Sequence, residues 1–221
     1  GGRRAVGAPR RGSCYDPAAL LMPPLRVSIN PDDPAPALAT EWLLTNGLGG
    51  FAMGTALGVN TRRYHGLLVA ATKPPLGRIV ALHSVIEQLV VDGRTIDLST
   101  QQFGEELQLH PQGWRCLLEF SQETDRECLW TYRVGDAEIH KRLSMRSGTV
   151  LLVYMIRGLT TAATLRLRPV TPLRDFHALH DEEAGPCGID VRDGWYVTIN
   201  RGDWRLSLGV DGSRWRDEPQ W

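Results

Sequence analysis

Asn60-Thr61-Arg62-Arg63-Tyr64-His65-Gly66 gathers an amide, two guanidinium groups, a phenol and an imidazole into the densest run of recognition chemistry in the chain. Such a set suits a polyhydroxylated ligand. Sugar hydroxyls donate and accept at once, so Asn60, Arg62, Arg63 and His65 can engage them in pairs, while Tyr64 offers a ring face and a hydroxyl. The same residues also suit a rim loop whose arginines pair with carboxylates and whose tyrosine caps the core. Arg174-Asp175-Phe176-His177, with His180 three residues further on, is a second cluster. Without a third and fourth ligand at metal spacing, its His-x-x-His favours a structural Arg174–Asp175 pair and a satisfied imidazole over a metal site. Gly47-x-Gly49-x-x-Ala52 has the form of a dinucleotide fingerprint and follows a strand-like stretch. Gly54 and Gly58 would weaken the helix that must come next, and Arg62 and Arg63 stand near where a ribose-binding acid belongs. Glycine at this density points instead to positive φ angles or close backbone approach. Glu105 and Glu106, like Glu182 and Glu183, are adjacent, so on a strand they face opposite ways and make no acid–base pair. No catalytic residue, metal ligand or cofactor is assigned.

The elements that must position these groups read as strands. The 221 residues carry 25 basic and 25 acidic side chains, a balance that argues against a general electrostatic hold on nucleic acid or anionic lipid. A chain of this length hides roughly 70% of its unfolded surface on folding, enough for a core without disulfide or metal support. No apolar run approaches the roughly 20 residues a membrane helix needs, and no signal-like apolar stretch follows the N-terminal arginines. A cytoplasmic protein with four reduced cysteines is expected. Residues 1–37, rich in Arg and Pro, read as a mobile leader. From residue 38 to 221, short β-branched stretches alternate with turn signals about every ten residues, which predicts an all-β fold, a large antiparallel β-sandwich of about a dozen strands. Asp92-Gly93 and Gly135-Asp136 mark tight hairpins, Ser147-Gly148 leads to a strand over 150–157, and Asp193-Gly194, Gly202-Asp203 and Asp211-Gly212 mark later turns. Of the seven tryptophans about five should be core, with Trp215 the most exposed.

The stretch EWLLTNGLGGFAMGTALGVNTRRYHGLLVA resembles the start of the amino-terminal domain of bacterial and archaeal glycogen debranching enzymes of the amylo-α-1,6-glucosidase type. PPLGRIVALHSVIEQL, LRPVTPLRDFHAL and DEPQW resemble later parts of that domain in the same order, and NTRRYHG is the most specific segment. The resemblance implies a supersandwich-like fold of the kind that precedes (α/α)6-barrel glycosidases. It also implies a carboxy-terminal barrel, expected outside this chain, whose acidic pair hydrolyses α-1,6 branch points. The implied partners are an α-glucan, glycogen or starch-like, and that barrel, with no cofactor, nucleic acid or membrane. Asn60, Arg62, Arg63, Tyr64 and His65 are then expected to bind substrate or face the barrel, and Arg174, Asp175 and His177 to order a loop. A non-catalytic α-glucan-binding module that works alone is the alternative.

Overall fold

The computed structural model describes residues 24–104, 108–179, 187–192, 196–212 and 215–216. In chain order the strands are β1 (Leu25–Ser28), β2 (Glu41–Thr45), β3 (Phe51–Thr55), β4 (Gly66–Lys73), β5 (Leu76–Leu82), β6 (Ser84–Val91), β7 (Arg94–Asp97), β8 (Gln101–Phe103) and β9 (Gln108–His110). They continue as β10 (Leu117–Thr124), β11 (Glu127–Val134), β12 (Ala137–Arg146), β13 (Thr149–Arg157), β14 (Ala163–Val170), β15 (Arg174–Asp175), β16 (Gly188–Arg192), β17 (Tyr196–Arg201) and β18 (Trp204–Gly209). One short helix, Ala35–Ala39, precedes β2. All pairings are antiparallel. Two five-stranded sheets, β1-β10-β11-β12-β13 and β15-β5-β4-β3-β2, are accompanied by β14-β6-β7, β16-β17-β18 and the β8-β9 pair.

The hairpins follow from their turn residues. Asp92 and Gly93 both take positive φ (49° and 73°), the requirement of a type I′ turn, whereas the Gly-Asp turns use Gly135 (58°) and Gly202 (55°) at the first position alone, as type II′ demands. Asp193-Gly194 lies outside the described residues. The leader expected over residues 1–37 gives way earlier in the structure, because β1 pairs with β10 through Val27 and Phe120. Apolar side chains at alternate positions of that strand complete the sheet, a signal of only four residues that the surrounding prolines obscure.

The two large sheets meet through aromatic rings. Trp42 of β2 packs at 5.5 Å on Trp130 of β11 in an edge-on contact, with Phe120 5.1 Å from Trp130. Each such ring removes roughly 200 Å² from water, on the order of 5 kcal/mol apiece. Their polar ends are satisfied: the Trp42 indole N–H donates to the Thr55 carbonyl (2.9 Å) and that of Trp130 to the Ala56 carbonyl (3.0 Å). Trp114 is buried as well, and Trp215, expected to be the most exposed, is half-buried. Among the described residues no helix is long and apolar enough to cross a membrane. The described cysteines are free, with Cys128 buried, Cys116 half-buried and Cys187 exposed.

One polar contact also crosses the core. Glu87 of β6 is buried with its carboxylate 2.6 Å from Lys141 Nζ of β12, and the Tyr154 hydroxyl of β13 donates to the same oxygen. Lys141 also lies 5.1 Å above the Trp130 ring. Burial and the Glu87 charge hold the Tyr154 and Tyr132 phenols well above their ordinary value.

Candidate functional site

The strand that begins as β5 does not stop at Leu82. It runs through His83 into β6 and so passes from one sheet to another, and β14 passes in the same way into β15. His83 sits at this corner: its carbonyl accepts from Leu67 N–H (3.3 Å) and its own N–H donates to the Val170 carbonyl (2.8 Å). Bends of this kind are where a sandwich changes sheets, and they leave loops projecting at its rim. Residues 60–65, ahead of β4, and residues 171–178, around β15, are those loops.

Inside the first loop the polar groups turn inward. The Asn60 amide donates to the His83 carbonyl (2.7 Å), fixing the loop to the corner. His65 is fully buried. Its Nδ1 accepts from the Thr61 backbone N–H (3.1 Å), so in the neutral ring the proton is on Nε2, which lies 3.2 Å from Glu41 Oε1. That approach is off line, making it an electrostatic contact rather than a formed hydrogen bond. Arg62 pairs with the same Glu41 carboxylate. Burial depresses the His65 pKa, the Glu41 charge opposes that shift and the Arg62 charge adds to it. The His83 imidazole is pushed down to about 4 by burial, with the charge of Arg174 adding to the effect.

Arg174 joins the two loops. It is buried, and its guanidinium donates to the Arg63 carbonyl (2.8 Å), the Asp175 carbonyl (3.1 Å) and the Ala178 carbonyl. The Asp175 carboxylate accepts instead from the His177 backbone N–H (2.8 Å). The pair expected between Arg174 and Asp175 is thus replaced by carbonyl capture. A planar fork with five donors satisfies several carbonyls that a rim loop would otherwise bury unbonded. Leu173, buried just before it, takes a left-handed backbone at φ 42°, uncommon for a side chain of its size.

What remains on the outside is an aromatic and cationic rim. The Tyr64 ring lies 5.3 Å from Phe176 and meets His177 edge-on at 5.8 Å. The Arg63 guanidinium lies 5.2 Å above Tyr64 while donating to the His177 carbonyl (3.1 Å), and Arg78 lies 5.6 Å above Phe176. Arg62, Arg63 and His177 are exposed and Tyr64 is half-buried. The candidate residues therefore divide: Asn60, His65, Arg174 and Asp175 build the loops, and Arg62, Arg63, Tyr64 and His177 are presented. Phe176 and Arg78, which sequence reasoning left out, belong with the second group.

The glycine loop supports this rim and forms no phosphate cradle. Asn46 Oδ1 accepts from the N–H groups of Leu48 (2.8 Å) and Gly50 (3.0 Å), and the Gly49 carbonyl accepts from Arg78 Nε (2.7 Å). The chain then enters β3, a strand where a dinucleotide fold needs a helix. His180, Glu105, Glu106, Glu182 and Glu183 lie outside the described residues. Among the described residues no group of three or more His, Cys, Asp or Glu is arranged to hold a metal.

An all-β domain built of antiparallel sheets, with an aromatic and cationic rim at a sheet corner, is the class of protein these features define. Residues 40–221 match the family described as glycogen debranching enzyme N terminal, and the chain belongs to that family. Comparison with curated proteins and with solved structures returns no match.

Proposed function

We propose that this domain assists recognition of an α-glucan for a carboxy-terminal barrel that hydrolyses α-1,6 branch points, and that Arg62, Arg63, Tyr64 and His177 form the surface it contributes. The observation that carries the reading is the lock between the two loops. Arg174 holds three backbone carbonyls and His65 Nδ1 a backbone N–H, and this leaves a set of donors and rings held at the surface. Guanidinium donors and an imidazole suit vicinal hydroxyls, and the Tyr64 and Phe176 rings suit the C–H faces of glucose. Holding such groups in place before binding lowers the entropy cost of each contact.

The experiment compares Tyr64→Ala and Arg63→Ala with Arg174→Ala in a protein carrying both domain and barrel. The first two are expected to weaken glucan affinity at least tenfold with melting little changed, while Arg174→Ala lowers melting. Unchanged affinity in both rim variants would reject the reading. The alternative is a module that binds α-glucan alone, drawn from the exposure of Arg62, Arg63 and His177 on this domain. Calorimetric titration of the 221-residue chain with maltoheptaose, against cellohexaose as control, tests it: heat with the α-glucan alone supports a free-standing module, and no heat from a folded chain removes it.

A further inference from the structure

The last strand of the β1-β10-β11-β12-β13 sheet is unlike every other outer strand among the described residues. Those others either are short, five residues or fewer, as are β1, β2, β7, β8, β9, β16 and the two-residue β15, or carry charge or proline within the strand. β14 has Arg166, Arg168 and Pro169, and β18 has Arg205. Such features blunt the tendency of a free edge to take up another strand. β13, Thr-Val-Leu-Leu-Val-Tyr-Met-Ile-Arg, is nine residues long and pairs with β12 without a bulge from Arg146↔Thr149 to Glu138↔Arg157. It has no Pro, Gly or Lys, and its one charge is the terminal Arg157. Its outward side chains are apolar and open to solvent: Leu151 is 59% exposed, Val153 41% and Met155 38%.

We infer that β13 is a homodimer edge, at which a second copy of this chain adds its own β13 antiparallel about a two-fold axis through Val153. The commitment to a second copy rests on the strand's self-complementarity. With Val153 opposite Val153 of the second copy, Leu151 meets Met155 on the solvent face, Val150 meets Ile156 and Leu152 meets Tyr154 on the core face, and Arg157 falls opposite the neutral Thr149. No like charges oppose one another. The two-residue turn at Ser147-Gly148 makes Arg146↔Thr149 a hydrogen-bonded pair, so the odd residues of β13 bond to β12 and the even ones aim their backbone groups at the free edge. Among the described residues no backbone bond from elsewhere in the chain reaches that edge. Pairing the even residues would form about eight interstrand hydrogen bonds, with Val153 in a non-hydrogen-bonded pair on the axis. The dimer would merge two five-stranded sheets into one of ten, an isologous and closed association. The inference is independent of any glucan contact, since it involves neither rim loop.

Sedimentation of the 221-residue chain is expected to give twice the 24.6 kDa monomer mass at tens of micromolar. Val153→Lys sets two ammonium groups against each other on the axis and is expected to yield monomer with unchanged circular dichroism and melting, because the side chain projects into solvent in the isolated fold. In a chain with Cys14 and Cys187 changed to Ser, Val153→Cys is expected to cross-link to a covalent dimer under mild oxidation, whereas Thr149→Cys stays uncross-linked. A monomer at every concentration, or a dimer that survives Val153→Lys and gives no Val153→Cys cross-link, overturns the inference. The first of these results would leave the strand for a different protein.

Discussion

Two imidazoles, His65 fully buried and His83 half-buried, tie the rim to proton concentration. Burial lowers the pKa of both His65 and His83 below the ordinary histidine value, so between that value and the folded one the unfolded chain binds protons that the folded chain refuses. Their contribution to stability is complete above about pH 6.5 and is lost as pH falls toward 4, where His83 protonates in the folded state too. His83 alone represents on the order of 3 kcal/mol across that window. Urea unfolding followed from pH 7.5 to 4 should show a steep decline, and His83→Gln should flatten it whatever its cost at neutral pH. A decline of equal steepness in the variant would place the effect elsewhere. Protonated His65 could no longer accept from the Thr61 N–H, so the 60–65 loop is the first place acid should act. The presence of reactive side chains at 60–65 and 174–177 is plain in the sequence, but their division into buried builders and presented groups is not. Arg63 and Arg174 are 111 residues apart, and a contact that far along the chain leaves no periodic trace. Glu87 and Lys141 did leave one. Each falls on the inward phase of its strand, between Val85 and Leu89 and between Ile139 and Leu143, and a charge on that phase asks for a buried partner.

Among the elements, hairpins were the most legible, because Asp-Gly and Gly-Asp fix both turn type and register within four residues. The passage of one strand between two sheets at His83 was not, since the apolar pattern continues across it unbroken. The glycine loop shows how two residues of one type differ. Gly49, at φ +89°, has no room for a methyl group: a Cβ there would lie 2.6 Å from the Pro75 carbonyl oxygen. Gly47, at φ +72°, opens on empty space. Gly47→Ala should therefore cost only about 1 kcal/mol of backbone strain, and Gly49→Ala about 2 to 4 kcal/mol because the β4–β5 turn must also move. Chemical denaturation of the two variants makes the comparison. Equal costs would mean that the turn yields freely.

At the scale of the whole molecule, Glu87 bridges the β14-β6-β7 sheet to the β1-β10-β11-β12-β13 sheet through Lys141 and the Tyr154 hydroxyl. Removing one partner strands the other in the core, so Lys141→Met should destabilise by about 3 to 5 kcal/mol. Adding Glu87→Gln removes the stranded charge while keeping an acceptor for the Tyr154 hydroxyl, and the double variant should recover more than half of that loss in equilibrium unfolding. A double variant as unstable as the sum of the two single ones would show that the groups act separately.

The long reach of Arg174 also bears on how the protein is made. A ribosome adds roughly 5 to 20 residues per second, so the 111 residues that follow Arg63 take on the order of 5 to 20 s to appear. Until then the Arg63 carbonyl lacks its donor, and Tyr64 has no Phe176 or His177 to lie against. The nascent chain thus displays an incomplete rim for that interval. The same interval leaves β6 without most or all of β14, its partner along its full length, so residues 163–178 decide when β6 and the 60–65 loop become native.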